Sequence, residues 1–347
     1  MEAQVLAALS RVNDPELGRD LVSLGMVQNV RACDGVVAFT LVLTTPACPM
    51  RAQIQQAAEA AVRAIPGVTQ VNVELTSNVS ARANAAKESV LPGVRNVIAV
   101  ASGKGGVGKS TVAVNLAAAL AESGARVGLL DADIYGPSIP TLMGAVERPD
   151  VQNDRLLPVE RYEVKLMSLG FLLDENAPVI WRGPLVARAI SQLLSDVEWG
   201  ELDYLIVDLP PGTGDAQLTL AQSVPLTGVV IVMTAQDLAL NIASKALLMF
   251  RRMEVPVLGV VENMSAFVCP HCQQETPIFG ESGRGELAAA RLDAPFLGAV
   301  PLEPAIVTEG DEGTPSIVAH PQSRQAEAFR SIARAVAARV SVLNLSE

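Results

Sequence analysis

Nine residues between an apolar run and a helical run have the composition of a loop that binds phosphate. They read GKGGVGKST, follow NVIAVAS and precede VAVNLAAALAES. Glycines let backbone N–H groups turn toward phosphate oxygens, and the N-terminus of the next helix adds partial positive charge. The spacing predicts that Lys109 contacts the β- and γ-phosphates of a nucleotide and that Ser110 binds Mg²⁺. The predicted nucleotide-binding residues of this phosphate loop are Gly103, Lys104, Gly105, Gly106, Val107, Gly108, Lys109, Ser110 and Thr111.

Acidic residues end two later apolar runs. Asp131 and Asp133 end ARVGLLDAD, and Asp208 closes the run YLIVD. A carboxylate at such a position can hold a Mg²⁺-bound water or orient an attacking water; the alternative is a strand-end cap. The stretches that follow, IYGPS and PPGTGD, are typical of loops that γ-phosphate orders.

A pair of cysteines, Cys269 and Cys272, has the C-x₂-C spacing with which two thiolates grip one metal ion or cluster. One pair cannot complete a four-sulfur shell, but two copies related by a two-fold axis can. Four interpretations stay open from the residues alone: incidental thiols, a redox pair, a zinc site shared by two subunits, and a bridging [4Fe–4S] cluster. A redox pair is disfavoured because QQETPIFG, with Pro277 and Gly280, does not predict a helix after the cysteines.

The elements that must position these residues follow an alternating pattern. From Asn96 onward, apolar β-branched runs alternate with helical stretches, and continuous apolar strands are typical of a parallel sheet covered on both faces. Ligands of such sheets bind beyond the carboxyl ends of the strands, where most of these motifs fall. The predicted fold class is therefore α/β, with a mostly parallel sheet and helices on both faces, preceded by a small α+β domain.

Three regions are predicted along the chain. Residues 1–76 alternate short helical and strand patterns, which indicates a small α+β domain. Residues 77–93, SNVSARANAAKESVLPG, are polar and Ala-rich and are typical of a linker. Residues 94–347 form the predicted nucleotide-binding domain.

Composition narrows the class of protein. Half of the 347 residues are hydrophobic and 18% are charged, which describes a core-forming globular chain. A net charge of −11 argues against a nucleic-acid partner. No apolar run reaches the roughly 18 residues of a membrane span. The residues MEAQVLAALSRVNDPE lack the basic region, apolar region and cleavage site of a signal peptide. We therefore expect a cytoplasmic protein without stable membrane association.

Lys104 is not needed to cradle phosphate, and it marks the phosphate loop as one of the deviant Walker A kind. The region resembles nucleotide-binding proteins that include nitrogenase iron protein and the septum-site and plasmid-partition ATPases. In that class this lysine reaches the partner's nucleotide, so the resemblance implies an ATP-hydrolysing homodimer in which Lys104, Lys109 and Asp133 are catalytic. It further implies that Asp133 positions the attacking water, that Asp208 supports Mg²⁺, and that Asn263 and Pro301 hold the base.

The motifs GKGGVGKST, DADIYGPS, DLPPGTGD, VENMS and CPHC occur in this order. Together they resemble the Mrp/ApbC family of iron–sulfur cluster carriers over residues from about 95 to 345. DPELGRDLVSLGMVQNV and LTTPACPM resemble the SufT-like assembly domain. The resemblance implies ATP, Mg²⁺ and a [4Fe–4S] cluster at Cys269 and Cys272, with apoprotein recipients and scaffold proteins as partners. It also implies that Cys48 is an auxiliary functional thiol, and its place before MRAQIQQAAEAAV predicts a pKa lowered by the helix dipole.

Two other functions compete. A spatial organiser similar to the partition and septum-site ATPases would share the phosphate loop and could bind membrane through the amphipathic segment AFRSIARAVAARVSVLNL, although docking of that helix within the protein is favoured. A zinc or nickel chaperone ATPase would share the cysteine pair, because spacing does not separate zinc from iron–sulfur.

Overall fold

A computed structural model describes residues 1–81, 90–134, 136–172, 183–212, 217–218, 221–222, 224–280 and 283–345, with the backbone alone at 183–187 and 237–242. The chain divides into two compact units. The first comprises Met1–Ala81 and Ala337–Glu347, and the second comprises Arg82–Val336. The division at 1–76, 77–93 and 94–347 stays a prediction, and residues 82–89 of the predicted linker lie outside the described part.

The first unit is built on a small sheet. Its elements are α1 (Glu2–Leu9), β1 (Val27–Cys33), β2 (Val36–Leu43), α2 (Arg51–Arg63) and β3 (Gln70–Ser77). Strand β2 is central, with β1 antiparallel and β3 parallel to it. Alternate residues of β2, among them Val37, Phe39 and Leu41, are buried, as expected for a sheet with one covered face. The predicted α+β character of this region is confirmed.

The second unit contains a sheet of nine strands within the described residues. Its path runs β13-β12-β11-β4-β10-β5-β9-β8, and β14 also pairs with β12. Strands β8 and β13 are antiparallel to their neighbours, and the other seven are parallel. The strands are β4 (Val94–Ser102), β5 (Val127–Asp131), β8 (Val159–Arg161), β9 (Val164–Ser168), β10 (Leu202–Asp208), β11 (Gly228–Met233), β12 (Val257–Val268), β13 (Glu275–Thr276) and β14 (Phe296–Leu302), beside a separate hairpin of β6 (Val151–Gln152) and β7 (Arg155–Leu156).

Helices cover this sheet, which confirms the predicted α/β class. They are α3 (Lys109–Glu122), α4 (Ile139–Leu142), α5 (Gly183–Ser195), α6 (Asp237–Arg252), α7 (Arg284–Arg291), α8 (Ala305–Asp311), α9 (Ser316–Ala319) and α10 (Arg324–Leu345). Helix α3 packs on β4, β5 and β10, and α7 packs on β12 and β14. Every residue of β5, β10 and β11 is buried, which explains their continuous apolar sequences.

The structure departs from the sequence pattern at two places. The run VPVLGVVEN predicts a strand that ends at Asn263, whereas β12 continues to Val268 because pairing with β14 resumes at Phe267 after a bulge. The hairpins between residues 151 and 168 were predicted only in part, as the run VKLMSLG. Strands of two or three residues carry too little periodicity to be recognised.

Candidate functional site

The phosphate loop joins the end of β4 to the start of α3. Gly106 and Gly108 have positive φ angles of 76° and 77°, which let the backbone turn toward the helix N-terminus. A Cβ on Gly108 would lie 2.2 Å from Asn263 Nδ2, so no larger side chain fits there. The Ser102 hydroxyl donates to the Lys104 carbonyl oxygen at 3.0 Å and closes the start of the loop. The loop therefore has the conformation that a phosphate cradle needs.

Four predicted site residues from three distant parts of the chain meet at this loop. Lys109 Nζ lies 2.6 Å from Asp208 Oδ1 and 3.7 Å from Asp133 Oδ2. The Ser110 hydroxyl donates to Asp208 Oδ2 at 2.6 Å. Asp208 is fully buried and the Lys109 side chain is 6% exposed, so the ammonium compensates a carboxylate that water cannot reach. The hydroxyl and the carboxylate supply the oxygen ligands that Mg²⁺ prefers.

Asp131 organises this site, and the sequence did not single it out. Its carboxylate accepts hydrogen bonds from Ser168 Oγ at 3.0 Å and from the backbone N–H groups of Asp133 and Ile139 at 3.1 and 3.2 Å. Burial, followed by the nearby charge of Asp208, raises the pKa of Asp131 to about 7. Asp131 thus fixes the segment that presents Asp133. The sequence DAD shows two acidic residues at the end of this strand, but it does not show which of them faces the phosphate loop.

Asn263 and Pro301, the predicted base-binding residues, lie within the neighbouring strands β12 and β14. Asn263 is buried and donates through Nδ2 to the Val107 carbonyl oxygen at 2.9 Å, so it contacts the phosphate loop directly. Pro301 lies within β14, and its carbonyl oxygen accepts from Gln325 Nε2 at 3.0 Å. The contact of Asn263 with the loop is a role that the sequence did not predict, and base binding stays a prediction.

The two predicted switch stretches are described only in part. Tyr135 and residues 213–216 lie outside the described residues. In the described part, the Gly212 N–H donates to the Ser102 carbonyl oxygen at 2.9 Å. The start of the second stretch therefore lies against the phosphate loop. Lys104 is exposed and has no ion pair among the described residues.

The cysteine pair forms the turn of a hairpin between β12 and β13. The Cys269 N–H donates to Gln274 O at 3.1 Å, and the Gln273 N–H donates to Cys269 O at 2.9 Å. The N–H groups of Cys272 and His271 lower the pKa of Cys269, because they stabilise its thiolate. A short strand rather than a helix follows, as predicted, which removes the usual geometry of a thioredoxin-type pair.

This turn offers two thiols and no complete metal shell. Within the described residues, no group of three or more His, Cys, Asp or Glu side chains could hold a metal ion. His271 is exposed, and His320 pairs through Nδ1 with Glu309. A metal or cluster at Cys269 and Cys272 therefore needs ligands from elsewhere.

Comparisons with known proteins agree with a chain that has both a phosphate loop and a cysteine pair. The model of the family described as NUBPL iron-transfer P-loop NTPase matches residues 93–337, and that of an iron–sulfur cluster assembly protein matches residues 2–75. The chain belongs to the iron-transfer P-loop NTPases. It is an enzyme of the P-loop NTPase class, which confirms the predicted ATPase, and the resemblance to the Mrp/ApbC carriers and to the small assembly domain is confirmed.

Individual relatives are similar over most of the chain. The iron–sulfur cluster carrier protein of Synechocystis is 50% identical and covers 98% of each chain. An Archaeoglobus fulgidus nucleotide-binding protein, solved in complex with ADP, is 41% identical with a TM-score of 0.61 and covers 70% of this chain and 95% of its own. The Pyrococcus furiosus cell division ATPase MinD shares the fold. It is 22% identical with a TM-score of 0.53, and the match covers 70% of this chain and 98% of its own.

Cys48 of this iron-transfer NTPase does not have the thiolate character expected from its place before α2. The side chain is 7% exposed in the core of the first unit, and burial raises its pKa to about 11. The N–H groups of Met50 and Arg51 favour the thiolate, but less than burial opposes it, and Glu16 and Asp14 oppose it further. The predicted lowering of the pKa was wrong because the helix dipole is weaker than desolvation here.

We expect the Cys48 thiol to react slowly with iodoacetamide. With a pKa of about 11 against an ordinary 9.0, its thiolate fraction at pH 8 is about a hundredfold lower, and the rate should rise roughly tenfold per pH unit until pH 11. Peptide mass spectrometry can follow Cys48 beside the exposed Cys33, which serves as the reference thiol. Equal rates for both cysteines in the native NTPase at pH 8 would contradict this burial effect.

The C-terminal helix α10 buries its apolar face. Phe329, Ile332, Val336 and Val340 are each at most 1% exposed, and Arg330 pairs with Glu122 of α3 at 2.7 Å. This confirms that the amphipathic segment docks within the protein, so its apolar side chains are not free for a lipid surface. Among the described residues, no helix has both the length and the apolar character that a bilayer crossing requires.

Proposed function

We propose that this NTPase is an ATP-hydrolysing carrier that binds a [4Fe–4S] cluster between two subunits and transfers it to apoproteins. The observation that carries the proposal is the turn of Cys269 and Cys272, whose backbone N–H groups stabilise a thiolate beside an exposed second thiol. Relatives across the whole chain are named iron–sulfur cluster carrier proteins. Thiolate ligands need a reducing compartment, which favours the cytoplasm.

The ligand count favours a homodimer. A [4Fe–4S] cluster takes four thiolates, and one turn provides two. A two-fold axis beside the turn would supply the partner's equivalent pair without any further residue. Cys269 is partly exposed and Cys272 is exposed, so both are accessible to a second subunit.

The nucleotide site fits ATP with Mg²⁺. The glycines leave the loop open to phosphate, while Ser110 and Asp208 supply oxygen ligands for the cation, which would neutralise phosphate charge. Binding requires Lys109 to turn from Asp208 toward the phosphates, which keeps its charge paired. Asp133 Oδ2 lies 3.7 Å from Lys109 Nζ and the side chain is 13% exposed, which supports the proposal that Asp133 orients the attacking water.

Replacement of Asp133 by asparagine should lower turnover about a hundredfold while nucleotide affinity changes little. The carboxylate that orients water is lost, but the backbone cradle and Lys109 remain. Steady-state hydrolysis and equilibrium binding should be measured together, with Asp154→Asn in an exposed loop as the control. Equal loss of affinity and turnover would show that Asp133 has a structural role.

Replacement of Lys104 by alanine should abolish hydrolysis and retain binding, because the exposed lysine is proposed to act on the partner's nucleotide. An equimolar mixture with Lys109→Ala chains should recover about one quarter of wild-type turnover, since half of randomly paired dimers contain one complete site. Each variant measured alone is the control. A mixture with no more activity than its components would contradict action across the dimer.

Anaerobic reconstitution tests the carrier function. The purified protein should bind iron and sulfide at about four of each per dimer, give a [4Fe–4S] Mössbauer spectrum, and activate an apoprotein on mixing. Binding of zinc or nickel without sulfide would support a metal chaperone instead. A protein that binds no metal and sediments with anionic liposomes would support a spatial organiser.

A further inference from the structure

Strand β12 connects the phosphate loop to the cysteine turn. Asn263 donates to the Val107 carbonyl oxygen in the phosphate loop, and the strand ends at Val268, directly before Cys269. Five residues therefore separate a side chain that touches the nucleotide loop from the first thiol. A change in the path of these five residues would reach both sites.

This stretch contains a bulge. Asn263 pairs with Val300 and Phe267 pairs with Leu302, so four steps on β12 match two steps on β14. The Ser265 hydroxyl donates to the Val300 carbonyl oxygen at 3.2 Å and holds the extra residues in place. Bulges redirect a strand and are enriched beside functional sites.

Met264 occupies the bulge in a left-handed conformation. Its φ angle is 55°, a region that residues with a long side chain seldom adopt. The Met264 methyl carbon lies 3.5 Å from the position of a Cβ on Gly108, so this side chain reaches the phosphate loop. A strained residue that contacts a ligand-binding loop indicates that the surroundings impose its conformation.

We propose that Met264 is a positioning residue that couples nucleotide occupancy of the phosphate loop to the geometry of the cysteine hairpin. The hairpin register, Val268 opposite Glu275 and Phe267 opposite Thr276, continues directly from the bulge. A nucleotide that shifts Gly108 and Val107 displaces Met264 and Asn263 together, and the bulge passes this shift to the hairpin. The coupling joins the phosphate loop to the cysteine pair. That this pair holds a cluster rests on the proposed function.

The coupling acts through the backbone that holds the thiols. Two hydrogen bonds close the turn, from Cys269 N–H to Gln274 O and from Gln273 N–H to Cys269 O. The same turn aims the N–H groups of His271 and Cys272 at the Cys269 sulfur. A different hairpin path would weaken or strengthen these bonds, and nucleotide state would then set how tightly the turn holds its ligand.

Hydrogen exchange on the cluster-free protein tests this coupling. Peptides covering residues 264–276 should change their exchange rate at least about fivefold when Mg²⁺ and a non-hydrolysable ATP analogue bind. Met264→Gly, which keeps the left-handed backbone without the side chain, should lose that change when the nucleotide analogue saturates the variant. Met264→Leu, which keeps a side chain of similar size, should retain most of it. Peptides from β2 provide the reference.

Two results would overturn the coupling: no nucleotide-dependent change in the wild-type hairpin, or the same change in Met264→Gly, which would indicate shielding by a partner subunit. Iron and sulfide content, measured separately on reconstituted protein, reports the carrier function. A chain that binds no cluster but shows the Met264-dependent change would refute the carrier function and leave the coupling intact.

Discussion

Replacement of Lys109 by alanine is expected to abolish most nucleotide hydrolysis. In the bound state the ammonium would contact phosphate oxygens, and a charged hydrogen bond contributes roughly 1.5–3 kcal/mol, so turnover should fall at least about tenfold and up to about a hundredfold. Affinity for the nucleotide should fall as well, because the contact forms on binding and then strengthens as charge develops on the transferred phosphoryl group. Phosphate release at saturating nucleotide, together with equilibrium binding, measures both effects.

This variant should also be less stable without nucleotide. Lys109 is the cation 2.6 Å from fully buried Asp208, and removing one partner of a buried pair costs about 3–5 kcal/mol. Thermal unfolding should therefore accompany the kinetics, with Lys245→Ala, which removes an exposed lysine, as the control. Near wild-type turnover in a folded Lys109→Ala protein would refute the assignment of the nucleotide site.

Replacement of both Cys269 and Cys272 by serine is expected to abolish stable cluster binding and transfer. Serine hydroxyls remain protonated and do not replace thiolates as iron ligands. ATP hydrolysis should remain measurable, because the phosphate loop has its own ligands elsewhere in the chain. Cys33→Ser is the matched control, since Cys33 is exposed and lies outside the turn.

A mixed dimer sharpens this test. One wild-type chain paired with one Cys269→Ser/Cys272→Ser chain leaves two thiolates, so the dimer should hold little or no oxygen-resistant cluster. Differently tagged chains allow its purification, and iron and sulfide content gives the result. A full cluster per wild-type chain would mean that each subunit completes its own site, and the bridging arrangement would then be wrong.

The parts of this protein that sequence predicts well are those encoded by contiguous residues. The phosphate loop consists of nine consecutive residues. Fully buried strands such as β10 appear as uninterrupted apolar runs. The cysteine turn is also local, because Cys269 and Cys272 share one hairpin. In these cases local backbone preference and the final structure agree.

Features that depend on packing were not predictable in the same way. The hydrogen bond from Asn263 to Val107 joins residues 156 positions apart. Burial of Cys48 depends on how the core of the first unit closes, and it reverses the pKa shift that the adjacent helix alone implies. Methionine has no preference for positive φ, so no local signal marks the bulge at Met264.

The discontinuous first unit has a consequence for biosynthesis. Residues 337–347 belong to the same compact unit as residues 1–81, and within it Val340 is buried and Asn344 Nδ2 donates to the Ser80 carbonyl oxygen at 2.8 Å. A ribosome delivers residues 1–81 before the second unit and these contributors after it, so the whole second unit is translated in between. The first unit can therefore reach its complete packing only after translation of that second unit, and a fragment ending at residue 81 would lack part of its own native contacts.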